Sequence, residues 1–292
     1  MGSGEQRARV VFMGTADLAA ECLRHLLLGD GYEVVGVVTQ PDRPRGRSMR
    51  LLPGPVKELA GERGLEVLQP ERARESGFLD QLAGWRPDII VVAAYGQILP
   101  KALLELPRFG CVNVHTSLLP RYRGAAPIQW AIANGDTETG VTLMRVVEEL
   151  DAGDILVQRS TPIGPRETGQ ELHDRLAVMG GEMLRDYMPQ ILRGELSGVP
   201  QSAEGVTYAR KITRQDGRVD WGLDVRVVYD RFRAFQPWPG GMTWVSGEGD
   251  PWLLKICAVE LAEGAGEPGE VIGVFPARLR VACCSGALDV LG

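Results

Sequence analysis

Residues 88–94 read Asp-Ile-Ile-Val-Val-Ala-Ala, and residues 111–115 read Cys-Val-Asn-Val-His. Both are short apolar runs, which is typical of strands that are buried on both faces of a sheet. Upstream, the pattern predicts strands at Arg9–Met13, Tyr32–Thr39 and Glu66–Leu68, and helices at Ala16–Leu28, Val56–Arg63 and Phe78–Ala83. Strands that alternate with helices indicate βαβ units, so we predict an α/β fold with a mostly parallel sheet.

The rest of the chain predicts an edge hairpin and then a second domain. Gly140–Val147 and Ile155–Pro162 flank the acidic stretch Leu150–Asp154, and one long helical pattern follows over Thr168–Arg193. After Pro200 glycine is frequent and short strand patterns alternate with turns, which predicts a small β-rich domain. Its predicted strands are Met242–Val245, Trp252–Val259, Val271–Val274 and Leu279–Cys283. We therefore place a catalytic domain at 5–200, a linker at 201–215 and the second domain at 216–292.

Composition excludes several classes of protein. The 292 residues are 44% hydrophobic and 24% charged, which is the profile of a globular protein. The longest clean apolar run is Ile89–Tyr95, far short of the roughly 20 residues that span a membrane, and no signal peptide is visible. The chain has 5 cysteines and no CxxC pair, which favours a reducing cytoplasm. Because the net charge is −6, a nucleic-acid partner would need a local basic patch.

Common catalytic motifs are absent from the sequence. Gly14 ends the first strand without a GxGxxG pattern, Gly-Lys never occurs, and no GxSxG is present. His25, His115 and His173 are far apart and have no ligand at metal spacing beside them, so we expect no metal. Dinucleotide oxidoreductases, P-loop enzymes, serine hydrolases and zinc enzymes are therefore poorly supported.

Two polar residues end a predicted buried strand. Alternation along the strand puts Asn113 and His115 on the same side, at the carboxyl end of a parallel sheet where α/β proteins bind ligands. The amide can donate a hydrogen bond to a developing oxyanion, and the imidazole can add charge or a proton. A polar pair that caps a strand end is the alternative, and spacing alone leaves both open.

The neighbouring segments are ambiguous when they are taken alone. Ser117–Pro127 is polar, cationic and bounded by prolines, as expected of a surface loop with solvated arginines. Asp151 lies in the turn of the predicted hairpin, where aspartate is common for turn chemistry alone.

Longer stretches resemble a known family. Residues 112–130, VNVHTSLLPRYRGAAPIQW, closely resemble the signature of the formyltransferases that use 10-formyltetrahydrofolate, and residues 150–156, LDAGDIL, are similar to their second signature. Four further stretches look like the members whose acceptor is methionyl-tRNA: TQPDRPRGR (39–47), VKELA (56–60), GRVDW (217–221) and AFQPWPGG (234–241). The resemblance runs from about Val10 to Leu291.

This resemblance implies a Rossmann-like first domain and an OB-like β-barrel as the second. It also implies that Asn113, His115 and Asp151 are catalytic. Asn113 and a protonated His115 would stabilise the oxyanion formed when the amine attacks the formyl group, and Asp151 would keep the imidazole charged. Gly14 and Thr15 would line the substrate pocket. The residues implied to bind the folate cosubstrate are Tyr95, Gly96, Gln97, Ile98, Leu99, Pro100, Ser117, Leu118, Leu119 and Pro120.

The implied partner is initiator methionyl-tRNA, bound by a monomer without any membrane contact. We expect Gln40–Arg50 to be a mobile loop that reads the tRNA through Arg43, Arg45, Arg47 and Arg50. Ser48 and Met49 stand where the family tends to have lysines. From Thr213 onward there are 8 Lys/Arg against 11 Asp/Glu, and we expect this domain to be shortened at its C-terminus relative to the family.

Three alternatives remain at this point. The first is the same chemistry on an amino sugar nucleotide, which would share the Asn/His/Asp trio. The second is a 10-formyltetrahydrofolate hydrolase, in which water is the acceptor. The third is a non-enzymatic RNA-binding barrel on a degenerate scaffold, against which the intact trio argues. Assays with each acceptor separate the first two, and a folate titration tests the third.

Overall fold

The computed structural model describes residues 7–45, 50–247 and 249–291, with side chains except those of Arg45 and Arg50. Its residues form two compact units. The first comprises Met1–Arg123, Gly140–Ser160 and Asp174–Thr207, and the second comprises Gly124–Thr139, Thr161–His173 and Tyr208–Gly292. Both units are therefore built from discontinuous segments. The domain boundaries that the sequence indicates, at residues 200 and 216, stay predictions.

The elements up to Leu192 include every strand and helix that the sequence predicts for this part, together with several short ones that it does not. In chain order they are β1 (Ala8–Gly14), α1 (Asp17–Leu26), β2 (Tyr32–Val38), β3 (Arg43–Arg45), β4 (Arg50–Leu52), α2 (Pro55–Glu62), β5 (Val67–Leu68), α3 (Ser76–Gly84), β6 (Ile89–Ala93), α4 (Lys101–Leu104), β7 (Cys111–His115), β8 (Arg123–Gly124), α5 (Pro127–Ala133), β9 (Glu138–Arg145), β10 (Ile155–Pro162) and α6 (Gly169–Leu192).

The central sheet has the strand order β10-β9-β7-β6-β1-β2-β5 among the described residues. The pairs β5–β2, β2–β1, β1–β6 and β6–β7 are parallel, and β9 runs antiparallel to β7. The predicted α/β fold is thus confirmed, and β9 and β10 form the expected hairpin at the edge of the sheet. Helices have to cover both faces of such a sheet, which explains why β1 and β6 read as nearly continuous apolar runs.

Burial of these strands is complete at the centre of the sheet. Val10–Met13 of β1 and Ile89–Val91 of β6 have no exposed side-chain surface. Fully burying a side chain of this size stabilises the fold by about 1.5–3 kcal/mol. The packed centre therefore fixes the ends of β1 and β6, which Thr15 and Tyr95 of the predicted site follow.

The C-terminal elements are mainly antiparallel strands. They are β11 (Tyr208–Ala209), a 3₁₀ turn (Arg214–Gly217), α7 (Val225–Ala234), β12 (Gly241–Val245), β13 (Trp252–Ile256), β14 (Ala258–Ala262), β15 (Val271–Phe275), β16 (Arg278–Ala282) and β17 (Ala287–Leu291). The described pairing gives a β12–β13 ladder and a sheet of order β14-β17-β16-β15. This confirms an antiparallel second domain, whereas the OB-like barrel stays a prediction. The stretch 252–259, predicted as one strand, is divided between β13 and β14.

A buried ion pair fixes α7 within the second unit. Arg233 and Asp230 are each about 5% exposed at the side chain, with Nε and Oδ1 2.7 Å apart. Arg233 Nη1 also donates to the carbonyls of Gly164 and Glu167, at 3.1 and 2.7 Å. Removing the guanidinium would leave a buried carboxylate with fewer partners. Arg233 therefore ties α7 to the segment that precedes α6.

We expect Arg233→Ala to lower the free energy of unfolding by about 3 kcal/mol, because the buried Asp230 carboxylate then keeps only the half-exposed Arg226 as its cationic partner. Denaturant unfolding monitored by tryptophan fluorescence measures this change. Arg214→Ala is the matched control, since Arg214 is exposed. Equal stability of the two variants would contradict a structural role for the buried pair.

Asp216 closes a capping box in the same unit. Its carboxylate accepts hydrogen bonds from Arg210 Nη1 at 2.9 Å, Thr213 N at 2.7 Å and Thr213 Oγ1 at 2.9 Å. The bonds from Arg210 and then those from Thr213 hold the pKa of Asp216 well below its ordinary value, against the opposing effect of burial. The native state therefore binds this proton less readily than the unfolded chain does.

A carboxylate with a depressed pKa stabilises the fold above its unfolded pKa of about 4, and the contribution is lost as the pH falls. We expect Asp216→Asn to cost about 2 kcal/mol at pH 7, with a difference from wild type that shrinks below about pH 4. Unfolding curves of both proteins from pH 7 to pH 3 measure it. A difference that stays constant over this range would contradict the assignment.

Candidate active site

The carboxyl ends of the parallel strands share one edge of the sheet. Here β1 has β2 on one side and β6 on the other, so the chain reverses its winding direction between β1 and β6. Ligands of open α/β sheets bind at such a switch point. Thr15 follows β1 and Tyr95 follows β6, and the Thr15 hydroxyl donates to the Tyr95 carbonyl at 3.2 Å. The structure thus brings together predicted site residues from two strands.

Gly14 is required by close packing at this point. A Cβ atom on Gly14 would lie 2.5 Å from Ala19 Cβ and 2.7 Å from the Ala93 carbonyl oxygen. No side chain fits there without movement of α1 or β6. Gly14 therefore brings the end of β1 close to that of β6, beside Thr15.

In the predicted folate-binding segment Tyr95–Pro100, the groups that a ligand could contact are mainly backbone atoms and the apolar side chain of Ile98. The Tyr95 ring is buried, burial raises the pKa of Tyr95 to about 12, and its carbonyl accepts from Gln40 Nε2 at 2.8 Å. The Gln97 side chain binds the backbone of Ala73 and Glu71. Ile98, by contrast, is 89% exposed. Of the remaining residues, Gly96 is exposed, Leu99 is buried and Pro100 is half-buried.

His115 is held between a backbone carbonyl and a carboxylate. The residue is 5% exposed, its Nε2 lies 2.9 Å from the Tyr122 carbonyl oxygen, and its Nδ1 lies 3.7 Å from Asp151 Oδ2. Because a carbonyl only accepts, Nε2 carries the hydrogen and Nδ1 faces the carboxylate. A proton on Nδ1 would make an imidazolium that is paired with Asp151. The structure therefore unites two of the three predicted catalytic residues.

Asn113 lies two residues before His115 on β7, opposite Met144 of β9. It is half-buried, and its side-chain amide has no hydrogen-bond partner among residues 7–45, 50–247 and 249–291. A strand-capping pair would use the amide within the chain itself. The open amide therefore favours the first hypothesis, in which Asn113 donates a hydrogen bond to a ligand.

Asp151 adopts a left-handed backbone conformation, with φ of 48°. Aspartate tolerates this conformation, so turn chemistry accounts for the residue type at the backbone. Turn chemistry does not account for the placement of the carboxylate against His115. We infer that Asp151 serves both the conformation of the turn and the pairing with His115.

The predicted segment Ser117–Pro120 is fixed by hydrogen bonds that the sequence did not indicate. The Ser117 hydroxyl donates to the Arg121 carbonyl at 2.6 Å, and Thr142 Oγ1 donates to the Ser117 carbonyl at 2.6 Å. Gln158 Nε2 donates to the Leu119 carbonyl at 2.8 Å. Leu118 and Pro120 are half-buried, Leu119 is buried, and the Leu119–Pro120 peptide is cis. The segment is thus held in one shape beside His115.

The predicted arginine loop begins as a short hairpin, with β3 antiparallel to β4. Arg43 is 65% exposed, and its Nη2 is 4.0 Å from Glu71 Oε2. Asp42, at the base, accepts from Lys57 Nζ at 2.6 Å and from Gln69 Nε2 at 2.9 Å. Arg47 lies outside the described residues, as do the side chains of Arg45 and Arg50. The mobility of the loop stays a prediction.

The comparisons with known proteins agree over nearly the whole chain. Residues 8–188 match the formyl transferase domain, and residues 211–292 match the formyl transferase C-terminal domain. The methionyl-tRNA formyltransferase of Myxococcus xanthus is 50% identical over 286 residues, which cover 98% of this chain and 89% of the relative. That of Citrifermentans bemidjiense is 47% identical over 282 residues, covering 97% and 87%. The chain belongs to the methionyl-tRNA formyltransferase family.

Solved structures share the fold at low sequence identity. WlaRD, a sugar 3N-formyl transferase solved with dTDP and 5-N-formyl-THF, superposes with a TM-score of 0.70 at 18% identity and covers 98% of both chains. An N-formyltransferase from Helicobacter canadensis gives 0.68 at 17% identity, covering 98% of this chain and 99% of that one. In the described part of this formyltransferase family member, no helix could span a membrane and no His/Cys/Asp/Glu group could hold a metal ion.

The sequence did not indicate that Arg123 is buried. The interpretation of 117–127 as a surface loop with solvated arginines is wrong for Arg123, which is 7% exposed and paired with Glu149 and Gln201. These partners are 26 and 78 residues away in sequence. No local pattern indicates contacts of that kind.

Proposed function

We propose that this protein transfers the formyl group of 10-formyltetrahydrofolate to the α-amine of methionine on initiator methionyl-tRNA, the step that prepares this tRNA for translation initiation. The observation that carries the proposal is the His115–Asp151 pair beside the open Asn113 amide at the carboxyl edge of the sheet. The proposal includes a monomer that acts in the cytoplasm, where both substrates are used.

The residues of the site suit a folate. A pterin is flat and carries many donors and acceptors, so it needs an apolar surface beside free backbone groups. The segment Gln97–Leu99 provides such groups, and the exposed Ile98 provides the surface. Gly14 and Thr15 close the other side of the switch point. Ser117–Pro120 would border the formyl end, because the segment begins two residues after His115.

The chemistry requires a neutral amine, a stabilised oxygen and a proton path. The amine nitrogen bonds to the formyl carbon, the bond from that carbon to the folate nitrogen breaks, and the amine proton passes to that nitrogen. Asn113 would donate to the formyl oxygen as its negative charge grows, and a protonated His115 would add positive charge. Asp151 would balance the imidazolium and help to relay the proton.

The tRNA contacts are assigned to two regions. The arginines of the β3–β4 hairpin, with Arg43 exposed, would meet the phosphates or exposed bases of the acceptor end. The antiparallel second domain would hold the body of the tRNA, and we keep the OB-like barrel as its proposed form. Its acidic balance of 8 Lys/Arg to 11 Asp/Glu beyond Thr213 gives the hairpin a larger share of the phosphate contacts.

The test compares acceptors. Purified protein and 10-formyltetrahydrofolate are incubated with charged initiator methionyl-tRNA, with a dTDP-linked amino sugar, or with neither, and tetrahydrofolate release is followed. The proposal expects fast release with the tRNA and slow release in the other two reactions. Equal release without any amine would indicate a hydrolase, and faster release with the sugar nucleotide would indicate a sugar formyltransferase.

A further inference from the structure

Residues 201–207, which the sequence assigns to a linker, lie in the first unit and contact the turn that carries Asp151. Gln201 Nε2 donates to the carbonyls of Asp151 and Gly153, each at 2.8 Å. Its Oε1 accepts from Arg123 Nε at 3.0 Å and from Arg123 Nη2 at 2.8 Å. Gln201 therefore bridges a buried guanidinium and the turn that carries Asp151.

The orientation of the Gln201 amide is determined by these partners. A glutamine amide has two donor hydrogens and an oxygen that can accept two bonds, and here every one of these positions is used. Rotating the amide by 180° would point its oxygen at two carbonyl oxygens and its NH₂ group at a guanidinium. The Arg123 side chain is 8% exposed, so the bridge is anchored in the protein interior.

The same short segment holds the partner of His115. Tyr122 N donates to Thr207 Oγ1 at 2.8 Å, and Arg123 N donates to the Thr207 carbonyl at 2.9 Å. Tyr122 in turn presents its carbonyl oxygen to His115 Nε2. Residues 201–207 thus fix His115 through Tyr122 and fix Asp151 through Gln201.

The acidic turn needs this support. Asp151 is in the left-handed region, and such a residue keeps its conformation when the surroundings hold it. At Gly153 an added Cβ would fall 2.0 Å from the Arg145 carbonyl oxygen, so the turn is packed tightly against the end of β9. The two Gln201 donors bind the carbonyls of Asp151 and Gly153, on either side of Ala152, and so clasp the middle of the turn.

We propose that Gln201 is a positioning residue for the formyl transfer reaction, holding the 151–153 turn so that the Asp151 carboxylate faces His115 Nδ1. Gln201 touches neither the His115 imidazole nor the Asp151 carboxylate, and it acts through the backbone of the turn. The inference rests on the proposed function, since Asp151 matters only if the His115 pair is used in the reaction.

The experiment uses Gln201→Leu, which removes all four hydrogen bonds, and Gln201→Glu, which keeps the shape and the Arg123 contacts but replaces the two donors by an oxygen. Gln215→Leu is the control, because Gln215 is exposed. A small displacement of a catalytic group costs up to about a hundredfold, and we expect kcat to fall at least about tenfold in both Gln201 variants. The KM values for folate and tRNA should stay within about twofold, because no substrate contact is lost.

Two further readouts separate positioning from general support of the fold. In an Asp151→Ala background, Gln201→Leu should cause no further loss of kcat, because the carboxylate that it positions is gone. Amide hydrogen exchange of peptides covering 149–154 should be faster in Gln201→Leu, while peptides from β1 and β6 stay protected.

Each outcome decides a separate point. Wild-type kcat in Gln201→Glu, or losses that add in the double variant, would overturn the positioning role while leaving the proposed function intact. Full activity of Asp151→Ala would overturn the catalytic role of the turn, and with it this inference. Formyl transfer to methionyl-tRNA that is absent in the wild type would overturn the proposed function, whereas faster exchange of 149–154 would still show that Gln201 holds the turn.

Discussion

Replacing His115 by alanine is expected to lower the kcat of formyl transfer to methionyl-tRNA by at least about a hundredfold, the scale of one lost contact to a transition-state oxyanion. Asn113→Ala and Asp151→Ala should each cause a loss of the same order. The imidazole is buried, bonded to the Tyr122 carbonyl and opposed by Asp151, and alanine removes both contacts. Single-turnover rates with saturating 10-formyltetrahydrofolate measure the effect.

The matched control is His173→Ala, because His173 lies in α6 and we assign it no role. Its rate should remain close to that of the wild type. Because Asn113, His115 and Asp151 act on one reacting centre, their double variants should lose much less than the product of the single losses. A His115→Ala protein that formylates at the wild-type rate would contradict this assignment.

A triple variant, Arg43→Ala, Arg45→Ala and Arg47→Ala, is expected to abolish formylation of methionyl-tRNA while leaving the slow hydrolysis of 10-formyltetrahydrofolate unchanged. These three arginines of the predicted tRNA loop would neutralise phosphates of the acceptor end, and losing three such contacts lowers affinity by about two orders of magnitude or more at moderate salt. The base of the hairpin stays in place through Asp42, Lys57 and Gln69. The KM for tRNA and its salt dependence report the loss.

The control removes the same charge elsewhere. Arg24, Arg63 and Arg193 are exposed, and replacing all three by alanine changes the net charge equally. This protein should keep the wild-type KM for tRNA. If the hairpin variant and the control lose tRNA activity to the same extent, bulk charge rather than the loop governs binding.

The α/β fold was predictable because its signal is local. Runs such as Ile89–Ala93 are buried on both faces, and their composition shows it directly. The helix α7 was not predicted, although Val225, Val228, Tyr229 and Phe232 recur at helical spacing. The burial of Arg233 and Asp230 had no local signal, because the Gly164 and Glu167 carbonyls that Arg233 binds are far away in sequence. The break at Cys257 between β13 and β14 was also missed, since both strands continue one apolar pattern.

Some residues of the candidate site were predictable from the sequence and others were not. Strand alternation predicted that Asn113 and His115 face the same side of their strand, and the register of β7 agrees, since they lie opposite Met144 and Thr142 of β9. Asp151 emerged only through the resemblance, because no periodic pattern relates a turn residue to a strand end. Gln201 and Arg123 could not be found, since Gln201 acts on backbone carbonyls and any residue at 151 or 153 supplies a carbonyl.

The most direct measurement is a single-turnover transfer of an isotopically labelled formyl group from 10-formyltetrahydrofolate to charged initiator methionyl-tRNA, with wild-type protein and His115→Ala side by side. The tRNA is recovered, its ester bond is hydrolysed, and the released amino acid is analysed. The account predicts labelled N-formylmethionine in the wild type, formed at least about a hundredfold more slowly by His115→Ala. Unlabelled methionine from the wild-type reaction, or equal labelling by both proteins, would contradict it.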